Sequence, residues 1–145
     1  MNKLSLSKLD EAIIMATTAH SGQKDKAGQP YILHPLAVMQ MVSTEEERIV
    51  AVLHDVVEDC DGYTIHQIRG KFGDIVADAV DAVTRRETEQ YHSAYLHRVR
   101  ENTIATKVKI ADLKHNTKPE RLAALPPEQQ GVVSRYTRAL EFLKG

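Results

Sequence analysis

Apolar residues recur along this chain mostly at the three- and four-residue spacing that an α-helix gathers on one face. In the segment 103–117, for example, Ile104, Val108 and Ala111 follow this spacing. No segment shows a sustained alternation of apolar and polar residues, and glycine and proline stand where the helical pattern ends, so the pattern predicts an all-α fold. The predicted helices cover residues 7–21, 35–42, 64–71, 74–84, 91–100, 103–117 and 128–143, with one further helix that starts at Thr44.

Three of these helices begin with a sequence that can cap its own N-terminus. The pairs are Ser7 and Asp10, Thr44 and Glu47, and Thr64 and Gln67. In such a pair the hydroxyl oxygen accepts from the backbone N–H three residues on, and the later side chain accepts from the N–H of the cap. The helix that starts at Thr44 matters most, because it is predicted to carry His54 and Asp55 and to end at residues 61–63.

The composition of the chain argues against some classes of function, such as membrane proteins and proteins that bind nucleic acid through bulk charge. At 145 residues, with 42% hydrophobic and 27% charged residues, the chain is expected to form one domain over residues 1–145. The net charge of −1 gives no bulk attraction to nucleic acid or an anionic membrane, and no apolar run approaches the ~20 residues of a membrane span. Cys60 is the single cysteine and the first ten residues lack an apolar signal core, so we expect a cytoplasmic protein; its oligomeric state stays open.

The candidate chemistry is concentrated at the end of an apolar run, residues 49–57. This run contains His54 and Asp55, and Glu58 and Asp59 follow it directly. A helix would bring Glu58 to the same face as His54 and Asp55, which lie four and three residues before it. Because burying an unpaired carboxylate is costly, these acids need a partner or a metal.

Two residues elsewhere complete a set of metal-ligand candidates. His34 stands just before the predicted helix 35–42, and Asp112 lies in the apolar part of the predicted helix 103–117. Imidazole and carboxylate groups without a thiolate suit a hard or borderline divalent cation. We predict that His34, His54, Asp55 and Asp112 hold one such ion, Mn²⁺ or Fe²⁺ by preference, with Zn²⁺, Co²⁺ and Mg²⁺ as alternatives. The competing interpretation is that the pair His54-Asp55 arose by chance and binds no metal. We interpret His20 separately, as a histidine of the core.

A polar loop, residues 22–31, leads into His34. Two glycines and a proline punctuate it, and it carries Lys24 and Lys26. The loop is either a solvated turn or a segment that contacts phosphate. In the second case Lys26, or else Lys109 or Lys114 from the helix 103–117, would neutralise phosphate charge, although a surface role for Lys109 and Lys114 is at least as consistent with the sequence.

Six short motifs between residues 19 and 116 together carry a resemblance to a known family. They are AHSGQ (19–23), GQPYILHP (28–35), LHDVVED (53–59), FG (72–73), VT (83–84) and VKIADLKHN (108–116). Their order and spacing resemble the HD-domain phosphohydrolases, and among these the hydrolase domain of RelA/SpoT homologues and the small alarmone hydrolases. The resemblance implies an all-α HD-domain helical bundle.

The resemblance also implies roles for individual residues. His34, His54, Asp55 and Asp112 match the metal ligands of the family, and the ion implied is Mn²⁺. Glu58 and Asp59 match an acidic pair that positions or deprotonates the attacking water. Asn116 matches a residue that contacts the sugar or phosphates of a nucleotide, and Lys26 and Tyr31 match positions in the loop over the substrate. The implied reaction is hydrolysis of the 3′-pyrophosphate of ppGpp.

Two departures from the family pattern keep other functions open. Alarmone hydrolases usually have an Arg-Lys pair in the loop, whereas this chain has Asp25 before Lys26, and an aspartate cannot stack on a base. The connector 84–102 has no clear counterpart in those enzymes. The alternatives are therefore a hydrolase of another nucleotide phosphate and a nucleotide-binding regulator with little or no turnover.

Overall fold

The structure, a computed structural model, describes residues 5–145; residues 1–4 of the predicted domain and N-terminal segment lie outside them. Within the described residues the chain forms ten α-helices and no β-strand, which confirms the all-α prediction. The helices are α1 (Lys8–Ala19), α2 (Leu33–Gln40), α3 (Glu45–Leu53), α4 (Val56–Asp59), α5 (Ile65–Phe72), α6 (Asp74–Val83), α7 (Leu96–Arg100), α8 (Thr103–Asn116), α9 (Pro119–Ala123) and α10 (Val132–Lys144). A π-helical turn, Tyr91–Tyr95, leads into α7, and a 3₁₀ turn, Pro127–Gln129, precedes α10. No helix in residues 5–145 combines the length and the apolar character that crossing a membrane requires.

The three predicted capping boxes all form, at the N-termini of α1, α3 and α5. At α3, Thr44 Oγ1 accepts from the Glu47 backbone N–H at 3.1 Å, and Glu47 Oε1 accepts from the Thr44 N–H at 3.2 Å. The other oxygen of Glu47 accepts from Lys107 Nζ on α8 at 3.2 Å, and the Glu47 residue is only 5% exposed. The cap therefore also ties the start of α3 to α8.

The predicted continuous helix through His54 and Asp55 is wrong. Helix α3 ends at Leu53, and α4 begins at Val56, so the pair lies in the break between them. The Ala51 carbonyl accepts from the backbone N–H of His54 at 3.4 Å and is also in contact with its ring Nδ1. Because Ala51 no longer accepts from Asp55, the α-helical hydrogen-bond ladder is interrupted there.

Other element boundaries also differ from prediction. Helix α2 begins at Leu33, two residues before the expected start, so His34 lies in its first turn. Helix α10 begins at Val132, because residues 127–129 form a 3₁₀ turn, and the predicted linker after Asn116 contains α9, with Pro119 in its first turn. The predicted helix 91–100 starts as a π turn, in which the Tyr95 N–H reaches the Gln90 carbonyl at 2.9 Å.

Two hydrophobic clusters form the core, and α8 contributes to both. The first contains residues of α1, α2, α3, α5, α6 and α8, with Val108 and Ala111 from the last. The second contains residues of α6, α7, α8 and α10 together with Tyr95, and takes Ala105 and Leu113 from α8. Asp112, between Ala111 and Leu113, is therefore held at a fixed position between the two clusters.

Candidate functional site

The four predicted metal ligands converge although they come from distant parts of the chain. Asp112 Oδ1 lies 2.8 Å from His34 Nε2 and 3.2 Å from His54 Nε2. Asp55 Oδ2 lies 3.2 Å from His54 Nε2 and 3.9 Å from His34 Nε2. His34, His54 and Asp112 are buried, and each offers a ligand atom within 4.8 Å of those of the other two. Two imidazole nitrogens and one Asp112 oxygen therefore face a common point, and Asp55 Oδ2 lies within 3.9 Å of both nitrogens, a donor set that fits a divalent cation.

The local folding of the chain explains how the ligands meet. His34 projects from the first turn of α2, Asp112 from the middle of α8, and the break between α3 and α4 presents His54 and Asp55 together. Helices α2, α3 and α8 pack against one another in pairs. An ion at this point would therefore cross-link three helices and contribute to folding as well as to chemistry.

Three of the predicted substrate-binding residues contact the ligands themselves. The Tyr31 hydroxyl donates to Asp55 Oδ2 at 2.6 Å, Lys109 Nζ donates to Asp112 Oδ2 at 3.0 Å, and Asn116 Nδ2 donates to Asp112 Oδ1 at 3.2 Å. Ligating carboxylates are commonly oriented by such hydrogen bonds. The geometry therefore gives Tyr31, Lys109 and Asn116 an orienting contact in addition to any contact with substrate.

The electrostatics of the cluster keep its acids ionised. Burial alone would raise the pKa of Asp112, but Lys109 and the histidine hydrogen bonds outweigh it and hold this pKa well below its usual range. The pKa of Asp55 is likewise lowered, because His54 outweighs the effect of burial. Conversely, burial opposes charge on His54 and Lys109, but neighbouring carboxylates raise both pKa values. Without a metal, the cluster is thus a compact network of opposite charges.

The structure adds a residue to which the sequence analysis gave no role. His115 Nδ1 lies 2.7 Å from His34 Nδ1, and the two ring planes are inclined by only 23°. Burial, the charge of His34 and the nearby Arg121 lower the pKa of His115 to about 4. A neutral His115 can accept a hydrogen bond from His34 and so fix which nitrogen of His34 is free to bind a metal. The available signal was its position three residues after Asp112 on the same helix.

Glu58 and Asp59 lie beside the cluster, at the surface. Both line a cavity of about 210 Å³ that the four predicted ligands also line. Glu58 Oε1 accepts from the Arg85 backbone N–H at 2.7 Å, which fixes the carboxylate. Partial burial, Asp55 and Glu58 together raise the pKa of Asp59 to about 7. Asp59 is therefore a carboxylate that can exchange a proton near neutral pH.

A larger cleft, of about 760 Å³, adjoins this cavity. The two spaces share Tyr31, His34, Asp59, Asn116 and Tyr136 in their walls. The larger cleft lies between the loop 22–31 and the segment from α9 to the start of α10, and both charged and apolar side chains line it. A ligand that occupies both spaces would pass directly over the His-Asp cluster.

The loop 22–31 is organised by the residue that departs from the family pattern. Asp25 Oδ1 accepts from the backbone N–H groups of Ala27 and Gln29, both at 2.9 Å, and Asp25 Oδ2 lies 3.6 Å from Arg121 Nη1. Asp25 therefore closes the turn and holds α9 beside it. Lys26 is exposed and lines the larger cleft, so the structure does not bring it to the His-Asp cluster.

Comparison with known proteins points in the same direction. A family model described as an HD domain matches residues 12–133. The chain is 31% identical over 144 residues to the guanosine-3′,5′-bis(diphosphate) 3′-pyrophosphohydrolase of Vibrio cholerae, covering 89% of this chain and 20% of that one. It is 34% identical over 148 residues to the probable GTP pyrophosphokinase of Mycobacterium leprae, covering 93% and 18%. The chain thus spans about a fifth of the length of these curated relatives.

One solved structure aligns over almost the whole chain. It is described as a metazoan orthologue of SpoT that hydrolyses ppGpp, and it matches with a TM-score of 0.81 at 22% identity, over 99% of this chain and 89% of that one. At this identity the likeness concerns the fold alone. It agrees with the predicted helical bundle.

Proposed function

The chain belongs to the HD domain family, and on that basis we propose that it is a metal-dependent pyrophosphohydrolase that removes the 3′-pyrophosphate of ppGpp. The observation that carries the proposal is the convergence of two histidines and two aspartates beside an acidic pair, in the wall of a cavity that opens to a nucleotide-sized cleft. The names of several relatives that are 31–34% identical support the substrate.

We propose that His34, His54, Asp55 and Asp112 hold Mn²⁺, with Fe²⁺, Co²⁺, Zn²⁺ and Mg²⁺ as alternatives. The donor set of nitrogen and oxygen without sulfur supports a hard or borderline ion. A divalent ion at this point would polarise a phosphoryl oxygen and lower the pKa of a nearby water. Lys109 and Asn116, which hydrogen-bond Asp112, hold that carboxylate in its orientation.

The acidic pair supplies the proton chemistry in this proposal. Asp59, whose carboxylate lines the same cavity as the predicted ligands, takes the proton of the attacking water through a carboxylate oxygen. Glu58 is held by the Arg85 N–H and positions the same water. The oxygen of the water bonds to phosphorus as the bond from phosphorus to the 3′-oxygen breaks. The 3′-oxygen leaves with the bonding electrons and takes up a proton, which balances the proton that Asp59 received, so that the products are GDP and pyrophosphate. Lys26, Tyr31, Lys109 and Asn116 are proposed to contact the substrate.

We also propose a cytoplasmic location and a small-molecule partner, with no binding to nucleic acid or membrane. The net charge of −1 and the single free cysteine agree with this. Asp25 in the loop is the reason to keep another nucleotide phosphate, and a slow nucleotide-binding regulator, as alternatives.

A panel of nucleotides tests the proposal. Purified protein with Mn²⁺ is incubated with ppGpp, NADPH and deoxynucleotide phosphates, and products are resolved by chromatography. We expect GDP and pyrophosphate from ppGpp, with faster turnover than for any other member. Products from another nucleotide alone would assign a different substrate, and binding without products would favour the regulator.

A further inference from the structure

The 210 Å³ cavity has a second group of lining residues that the proposed metal site does not use. These are Arg85, just after α6, Tyr91 in the π turn, and Arg135 on α10. The guanidinium carbon of Arg135 lies 4.9 Å from the centre of the Tyr91 ring, and that of Arg85 lies 5.4 Å from it. Lys109 Nζ lies 5.7 Å from the same ring centre, so Tyr91 brings three positive charges together beside the cavity by cation–π contact, two of them from arginines.

These groups have unused hydrogen-bonding capacity. Among residues 5–145, Arg135 makes no ion pair or side-chain hydrogen bond, and Arg85 uses only Nε, which donates to the Glu89 carbonyl at 3.1 Å. The Tyr91 hydroxyl is buried and has no hydrogen-bond partner in the same part of the chain. A buried hydroxyl without a partner is costly, so a bound oxygen would satisfy it.

Within residues 5–145, none of the four acids that line the cavity, Asp59 included, forms an ion pair with Arg85 or Arg135. Asp55 and Asp112 are engaged by the histidines, Tyr31 and Lys109, and Glu58 accepts from the backbone of Arg85 rather than from its side chain. The cavity therefore combines carboxylates at the His-Asp cluster with surplus donors at Tyr91. Guanidinium groups with free N–H edges are well suited to a multiply charged phosphate.

We propose that Arg85, Tyr91 and Arg135 form a binding subsite for the pyrophosphoryl group, which water releases from the 3′-oxygen as pyrophosphate. The assignment rests on the proposed function. The larger cleft then accommodates the nucleoside, the scissile phosphorus lies at the His-Asp cluster, and the terminal phosphate of the 3′-diphosphate lies against the two guanidinium groups. The two guanidinium groups offset the negative charge that the pyrophosphoryl group carries while it passes from the 3′-oxygen to water.

Calorimetric titration of inorganic pyrophosphate into the Mn²⁺-loaded protein tests the subsite, with a blank titration for formation of manganese pyrophosphate. Arg135→Met is expected to weaken binding about tenfold, the value of one charge-assisted hydrogen bond. Arg138→Met is the matched control, because Arg138 lies on the same helix and lines neither cavity. It should bind pyrophosphate like the wild type.

Tyr91→Phe separates binding from folding. It removes the hydroxyl and keeps the ring that holds the arginines. Because this hydroxyl has no partner in the described structure, the variant should unfold at the same temperature as the wild type or higher, yet bind pyrophosphate more weakly. Equal pyrophosphate affinity in wild type, Arg135→Met and Tyr91→Phe would overturn the subsite, as would orthophosphate binding as tight as that of pyrophosphate.

A parallel ppGpp turnover assay distinguishes the two proposals. Pyrophosphate binding that depends on Arg135, in a protein that does not turn over ppGpp, would support the subsite and contradict the proposed function. Turnover of ppGpp, together with pyrophosphate binding that Arg135→Met leaves unchanged, would support the proposed function and contradict the subsite.

Discussion

The contact between His34 and His115 gives a sharp prediction about metal affinity. To bind a cation through Nε2, His34 must carry its proton on Nδ1, and that proton has His115 Nδ1 as its acceptor at 2.7 Å. The pKa of His115, lowered to about 4 by burial and nearby positive charge, keeps the acceptor lone pair free at neutral pH. His115→Leu removes the acceptor and leaves the His34 N–H buried and unpaired.

His115→Leu should destabilise mainly the metal-bound form of the protein. Without metal, His34 can carry its proton on Nε2 and donate it to Asp112 Oδ1, 2.8 Å away. The metal-free protein therefore loses less stability than the metal-bound protein. Loss of the partner of a ligating histidine typically weakens metal binding by about 10–100-fold, or about 1.4–2.8 kcal/mol. We expect this loss of Mn²⁺ affinity in His115→Leu, measured by competition with a fluorescent chelator.

Two further variants make the test specific. His115→Gln keeps an acceptor oxygen and should lose less affinity than His115→Leu. His66→Leu, which removes an exposed histidine on α5, should bind Mn²⁺ like the wild type. If His115→Leu binds Mn²⁺ as tightly as the wild type, His115 does not orient His34 for metal binding.

Three further predictions concern the acidic residues. Glu58→Gln should retain Mn²⁺ and lose about 10²–10⁴-fold in turnover of ppGpp, because it keeps the ligands and removes the carboxylate that positions the attacking water for proton transfer to Asp59; wild-type rates would contradict that role. In metal-free protein, partial burial and neighbouring acids raise the pKa of Asp59 from its ordinary 3.8 to about 7. The folded state therefore binds this proton more tightly than the unfolded state does, and the protein loses stability as the pH rises from about 4 to about 7. Asp59→Asn should therefore melt at a higher temperature than the wild type at about pH 8, with the difference shrinking toward pH 4, and the opposite sign would refute the assignment. Glu47→Ala should destabilise the protein by about 1–3 kcal/mol in urea unfolding, because it unpairs Lys107 and two backbone N–H groups, whereas Glu46→Ala, at an exposed site in the same turn, should have little effect.

Signals that act over a few residues were reliable in the sequence. The capping boxes depend only on residues three apart, and all three form as predicted. The helical spacing of apolar residues likewise predicted the all-α class and placed α8, whose two core faces hold Asp112 between them. The convergence of His34, His54, Asp55 and Asp112 followed from combining buried polar residues with the resemblance to a family.

The break between α3 and α4 could not be predicted from the apolar pattern. The apolar run continues across it in Val52, Leu53, Val56 and Val57, whereas at the break the His54 ring contacts the Ala51 carbonyl. That contact depends on a side-chain orientation that hydrophobic spacing does not encode. The break is also what brings the two neighbouring ligands to one point.

Contacts between residues far apart in the sequence were also not predicted. Arg121 reaches Asp25 across the larger cleft, and Tyr91 meets Arg135 from a π turn that no residue pattern marks. Such contacts arise only when α9 and α10 fold back on the bundle. The sequence pattern predicted a linker before α10. It therefore gave no indication that Arg135 on α10 would line the cavity together with Arg85 and Tyr91.

The central claim is that four side chains, from three separate parts of the chain, bind one divalent cation. Its most direct test is a crystal structure of the protein grown with Mn²⁺, with diffraction data collected at the manganese absorption edge. We expect one strong anomalous peak, in coordinating contact with His34 Nε2, His54 Nε2 and the carboxylates of Asp55 and Asp112. A peak elsewhere, or none at this cluster at saturating Mn²⁺, would contradict the account.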